Sequence, residues 1–182
     1  MALVVLDAGH GGEEPGAIYN GRQEKVDTLI LTLLVGRYLE MNGIDVVYTR
    51  TTDIYESPLQ KAEEANAAGA DYFVSIHRNS SPFPNQYNGV ESLVYNDSGV
   101  AGLMAHNINR QLEKVGYVNH GVSERRNLIV LNRTNMPAVL VEVGFINSDI
   151  DNSLFDDYLW ETAEAIGKGI LQTIYVVENG SF

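Results

Sequence analysis

Leu3-Val4-Val5-Leu6-Asp7-Ala8-Gly9-His10-Gly11-Gly12 is the stretch on which the fold of this chain turns. Four apolar residues in a row, two of them β-branched, predict a strand buried on both faces, as in the middle of a parallel sheet. The run stops at an acid, and a histidine follows inside a glycine-rich loop. Glycines on both sides of His10 let the backbone turn sharply and leave room above the imidazole. In open α/β sheets, ligands sit outside the carboxyl ends of the strands, so chemistry is expected in this loop. A glycine-rich turn after a first strand is common, and Gly-His-Gly-Gly alone says little. What gives it weight is that two later strands end in the same way.

Outward from this stretch, strands alternate with helices. Leu29, Leu33, Leu34 and Tyr38 form a helical stripe over residues 24–41, closed by Asn42-Gly43. Residues 44–49 predict a second strand. A helix is expected over 57–69, with Ser57 as N-cap and Pro58 in its first turn. Residues 71–77 read as a third strand and 89–95 alternate like a fourth, before a helix over 98–115. The apolar runs 128–131 and 138–142 predict two more strands, and a last helix covers about 154–173, ending in Ile174-Tyr175-Val176-Val177. This pattern predicts a single α/β domain with a mainly parallel sheet. The domain is placed at residues 1–177, with 178–182 as a tail or the start of a linker.

Composition narrows the function. The chain of 182 residues is 45% hydrophobic and 20% charged, ordinary for one globular α/β domain. It has no cysteine, so a metal here must take histidine and carboxylate ligands. A net charge of -12 argues against nucleic-acid binding and against tight docking on anionic surfaces. Met1 leads into the apolar strand without a basic region, so no signal peptide is expected, and no stretch is long enough to span a bilayer. No Gly-Xaa-Ser-Xaa-Gly elbow supports a serine hydrolase, and the His10 loop lacks the Walker lysine and the dinucleotide spacing.

Three predicted strands end in reactive groups: the first at Asp7 and His10, the third at His77, and residues 138–142 at Glu142. In a parallel arrangement all of them reach one edge, and Glu24 returns the chain to the same loop. Two imidazoles and a carboxylate make the usual protein half of a catalytic zinc site and leave a position for water. A further carboxylate is then needed to take a proton, and Glu142 is available. Each member also has a plainer reading. His77 alone reads as a hydrogen-bonded strand-end histidine, and Glu24 as a helix N-terminal acid favoured by the macrodipole. Glu142 is harder to explain away, because an acid directly after four apolar residues faces costly burial. His106 and His120 read as surface or packing residues.

Several blocks in order resemble a known family. They are Leu6-Asp7-Ala8-Gly9-His10-Gly11-Gly12, Glu24-Lys25, Thr49-Arg50, Ala65-Asn66, Ser75-Ile76-His77-Arg78-Asn79 and the run 137–146, PAVLVEVGFI. Together they are similar to the zinc-dependent N-acetylmuramoyl-L-alanine amidases of bacteria and phages, the amidase type 3 group. The resemblance runs from Leu3 to about residue 173. It implies a twisted six-stranded mixed, mostly parallel sheet flanked by helices on both faces. It also implies one zinc ion held by His10, Glu24 and His77, with Glu142 as catalytic base. The implied reaction is hydrolysis of the amide between N-acetylmuramic acid and L-alanine in peptidoglycan, at the cell wall, by a secreted or phage-released enzyme. Departures are modest: Lys61 stands where arginine is usual, Glu14 where aspartate is common, Arg78 fills a variable slot and Ser80 replaces a frequent alanine.

Asn79, Arg126 and Asn127 are candidate substrate contacts, with loop capping as their alternative role. The alternative functions are another zinc peptidoglycan hydrolase, such as a stem-peptide carboxypeptidase, and a non-catalytic wall-binding module. A cell-wall-binding domain in a longer parent chain is an expected partner. Only the short turn 96–98 separates the fourth strand from the next helix, and residues 78–88 carry Pro82 and Pro84. An open groove, without a covering helix, is therefore expected.

Overall fold

The computed structural model describes residues 2–180. In chain order its elements are β1 (Leu3–Ala8), β2 (Ile18–Tyr19), β3 (Arg22–Gln23), α1 (Glu24–Met41), β4 (Asp45–Tyr48), α2 (Pro58–Ala68) and β5 (Tyr72–Asn79). They continue with β6 (Val90–Val94), α3 (Gly99–Val115), β7 (Asn119–Glu124), α4 (Ile129–Asn132), β8 (Ala138–Phe145), α5 (Asp149–Asp157) and α6 (Leu159–Glu178).

Six strands form one sheet in the order β4-β1-β5-β8-β6-β7. The first four run parallel, β6 is antiparallel to β8, and β7 is parallel to β6. The carboxyl ends of β1, β5 and β8 therefore share an edge with the starts of β6 and β7.

Side-chain alternation along the central strands feeds two cores. On one face Val4, Leu6, Val74, Ile76, Val139 and Val141 pack against α1, α3 and α6, where Leu31, Leu39, Met104, Ile108, Ile166 and Ile170 are fully buried. On the other face Val5, Phe73, Leu93, Ala138 and Leu140 meet a smaller set, Ala65 of α2, Ala70, and Val130 and Leu131 of α4, with Leu3, Leu128 and Met136 packed against them. The site side of the sheet thus carries the thinner layer. Truncating a side chain such as Leu39 to alanine costs about 2–5 kcal/mol by the usual cavity rule.

Local chemistry accounts for the helix ends. Ser57 and Gln60 form a capping box at the start of α2, Pro58 opens the helix, and Gly69 closes it at φ +65°. At the start of α1 no side chain caps the helix, and the carboxylate of Glu24 turns inward instead.

Four expectations need correction. Residues 128–131 are not a strand: the chain forms the short helix α4, which drops Val130 and Leu131 onto the second face while Ile129 stays exposed. Four apolar residues in a row have no period that separates the two states. The sixth strand is β7, whose sequence NHGVSE offers a single apolar side chain. An edge strand needs little more, because only part of it is covered. The last helix is two helices, α5 and α6, broken at Tyr158 (φ -126°, ψ 38°), and α6 continues through Ile174-Tyr175-Val176-Val177 because Ile170 and Ile174 share one buried stripe. Lastly, the loop 9–23 contains the ribbon β2–β3, turned by Asn20 and Gly21 at positive φ.

In the segment expected to be a tail, Glu178 still belongs to α6, while residues 181 and 182 lie outside the described residues. No helix among the described residues is long and apolar enough to cross a membrane.

Candidate active site

The glycine-rich loop after β1 is fixed from three sides. Arg50 donates to the carbonyls of Ala8 (3.1 Å), Gly9 (3.0 Å) and Lys25 (2.8 Å), and Thr28 donates to Gly9 O at 2.7 Å. Lys25 bridges Gly12 O and Asp53, both at 2.7 Å, and Asp53 in turn accepts from Gly12 N–H. Held this way, His10 sits at φ +62°, a left-handed conformation uncommon outside glycine. Gly9 is required for a different reason: a Cβ there would lie 2.4 Å from the His77 ring.

Three expected residues come together. Glu24 opens α1 and is buried, its Oε2 3.0 Å from His10 Nε2 and its Oε1 3.1 Å from His77 Nδ1. Two backbone donors orient it, Ala17 N–H at 3.0 Å and Arg78 N–H at 2.9 Å. The donor atoms of His10, Glu24 and His77 all lie within 4.8 Å of one another. Burial works to raise the Glu24 pKa, but the two imidazoles outweigh it and hold the carboxyl far below its ordinary range. Burial opposes protonation of His10, yet Glu24 and Glu14 overcome it and raise its pKa.

Glu142 stands beside this group. It pairs in register with His77 on one side and with Glu91 on the other. The residue is partly exposed, but its Oε2 is sealed from solvent and has no hydrogen-bond partner. Burial, seconded by the carboxylates of Glu24 and Glu91, pushes its pKa up to about 7.

Asp7, at the end of β1, is different. It accepts from Thr49 (2.8 Å) and Ser75 (2.6 Å), and pairs with buried Lys61 at 2.7 Å. Burial alone would raise its pKa, but Lys61 leads the interactions that bring it below the ordinary value. Lys61 also donates to Ala8 O at 2.8 Å. Asp7 therefore braces the strand end behind the histidines.

A cleft of about 400 Å³ opens beside His10 and His77, lined also by Glu14, Tyr55, Leu140 and Asn127. Both imidazoles are about one-fifth exposed, so the donor group is reachable from solvent. Of the three candidate substrate contacts, Asn127 is the one on this cleft wall. Asn79 is half-buried and its Oδ1 accepts from Ser80 N–H (2.8 Å), whereas Arg126 pairs with Glu124 and lies over Tyr95; neither lines this cleft. His106 pairs with Asp97, and His120 donates to Asn88 O; both stand apart from the donor group.

The sequence also understated several supports. Arg78 is fully buried, bonded to Asp27 (2.5 Å) and Asn152 (2.8 Å), with its guanidinium 4.4 Å from the centre of the Phe155 ring. Arg22 shares Asp27 and grips Asp156 through two bonds. An acid three residues after Glu24 was the available signal for this network, since it faces the same side of the helix.

The chain matches the family described as N-acetylmuramoyl-L-alanine amidase over residues 4–172. It is 33% identical over 187 residues to a sporulation-specific N-acetylmuramoyl-L-alanine amidase of Bacillus subtilis, covering 100% of this chain and 71% of that one. It is 34% identical over 183 residues to an endolysin of Bacillus phage SPP1, covering 94% of this chain and 66% of the phage protein. The solved structure of the N-acetylmuramoyl-L-alanine amidase AmiC2 of Nostoc punctiforme superposes with a TM-score of 0.89 at 33% identity, covering 96% of this chain and 97% of that one. With fold, sequence and strand-end groups in agreement, the chain belongs to the N-acetylmuramoyl-L-alanine amidases, a family of hydrolases.

Proposed function

We propose that this chain is a zinc-dependent amidase that cleaves the bond between the lactyl group of N-acetylmuramic acid and L-alanine in peptidoglycan. The observation that carries the reading is the convergence of His10, Glu24 and His77 donor atoms beside the unpartnered Oε2 of Glu142. Two nitrogens and one carboxylate oxygen suit zinc and leave room for water and substrate. When bound, zinc supplies Lewis acidity for the scissile carbonyl and for water.

The chain's own residues do the rest. His10, Glu24 and His77 hold the cation, and the backbone donors of Ala17 and Arg78 fix the angle of Glu24. Glu142 accepts a proton from water and returns it to the leaving amine. A carboxyl near pKa 7 is suited to both halves of that exchange, and a neighbouring cation draws it down towards the ionised form. Asn127, on the cleft wall, contacts substrate, and Asn79 and Arg126 are secondary candidates outside the cleft. The site of action is the cell wall, and a wall-binding domain in a longer parent chain supplies targeting.

Mass spectrometry of digested peptidoglycan tests this directly. The expected product is a stem peptide with a new L-alanine amino end, lost on chelation and restored by about one zinc per chain. A shortened stem still attached to the glycan would identify a carboxypeptidase instead.

A further inference from the structure

The two nitrogens of His10 meet two different carboxylates. Nε2 faces Glu24 Oε2 at 3.0 Å, on the side where the three donor atoms converge. Nδ1 meets the carboxylate of Glu14, four residues along the chain. Glu14 is itself held in place: its backbone exchanges two hydrogen bonds with Gly11, at 2.9 and 3.0 Å, and its Oε1 accepts from Gly16 N–H at 3.3 Å. His77 has a different arrangement. It presents Nδ1 to Glu24, and its ring packs against the bare Cα of Gly9.

A neutral imidazole can offer a lone pair from Nε2 only when its proton sits on Nδ1. An anionic acceptor at Nδ1 selects that tautomer, fixes the ring angle and increases the electron density available at Nε2. His10 needs such help more than His77, because it stands on a loop at positive φ rather than within a strand.

We propose that Glu14 is the positioning residue of His10, holding it as the Nδ1–H tautomer with Nε2 directed at the cation. This rests on the metal reading above. Glu14 is half-exposed, so its removal should leave the fold intact.

The test uses Glu14→Ala, Glu14→Gln and Glu14→Asp in the full chain, with zinc affinity measured by competition against a chromogenic chelator. Glu14→Ala should bind zinc about 10–100-fold more weakly, while the metal-free variant unfolds at the parent temperature. Glu14→Asp should recover most of the loss, and Glu14→Gln, an acceptor without charge, should fall between. Ring ¹⁵N spectra of the zinc form should show a strongly hydrogen-bonded Nδ1–H on His10 in the parent and in Glu14→Asp, and its loss in Glu14→Ala. Parent-like zinc affinity in a folded Glu14→Ala protein would overturn the role of Glu14 alone. Failure of the parent to bind zinc would overturn the metal reading together with it. If Glu14→Ala does not fold, Glu14→Gln decides: weakened zinc binding supports the role and parent affinity removes it.

Discussion

Asp7 and Glu142 are two carboxylates on strands of one sheet, on the same face and towards the same edge, yet their surroundings are opposite. Asp7 has a lysine and two hydroxyls within hydrogen-bond reach and is held ionised. Glu142 has an oxygen with no partner at all and is pushed up to about 7. A buried acid that is fully satisfied braces a structure, because moving its proton would break every bond it makes. A buried acid left unsatisfied is available to exchange a proton with something that arrives. The count of partners at the sealed oxygens separates the two roles.

The largest effect should come from breaking the satisfied acid. Asp7→Asn leaves Lys61 as an uncompensated buried charge and should cost about 3–5 kcal/mol, read from the shift in denaturant midpoint. A loss under ~1 kcal/mol would mean that Asp7 is not a brace. Next comes Glu142→Gln, which keeps shape but cannot accept a proton. Turnover should fall about 10²-fold or more while zinc content holds and the protein stays folded. Loss of zinc in this variant would make Glu142 a ligand and exchange its role with that of Glu24.

A third prediction separates the acids by pH. The folded pKa of Glu142 lies above its unfolded value, so between about pH 4.5 and 7 the folded metal-free protein binds more protons at this site. The contribution of Glu142 should therefore fall as pH rises, by at most ~1.4 kcal/mol per pH unit. Asp7 has the opposite sign: its contribution is lost as pH falls through its lowered pKa. Parallel stability curves for the parent and Glu142→Gln, both metal-free, would contradict the first half. The smallest effect concerns the background charge of -12 in which both acids sit. Sedimentation of the isolated chain with walls bearing anionic polymers should be weak and should improve a few-fold with moderate salt. Tight sedimentation at low salt would show that local patches outweigh net charge.

Much of this was legible in the residues, and the exceptions have physical causes. Val4 to Leu6 and Val139 to Val141 read as central strands because both sheet faces cover them. Ser57-Pro58 and Asn42-Gly43 marked helix ends through their own backbone chemistry. Glu142 stood out because an acid inside an apolar run has to be explained. By contrast, β7 hid in polar sequence, since an edge strand is held by its backbone rather than by side-chain burial. Residues 128–131 misled because burial alone does not say whether a short apolar run lies within the sheet or across it. The contrast between Asp7 and Glu142 was not readable at all: it depends on Lys61, Thr49 and Ser75, which reach Asp7 only once the chain is folded.

The unequal thickness of the two helical layers has a consequence for how this scaffold can diverge. His10, Glu24, His77 and Glu142 hang from β1, α1, β5 and β8, elements locked into the heavier core. Much of the cleft wall, including Tyr55, Glu56, Asn127 and Leu128, comes instead from connections on the lighter side. Amide exchange should run faster in those connections than in the strands that carry the reactive groups. Changes that refit the wall to a different stem or glycan can therefore accumulate there without disturbing the reactive centre. In this architecture the reactive centre and the adaptable wall meet on one face of the sheet, the first carried by strands and a long helix and the second by the connections between elements.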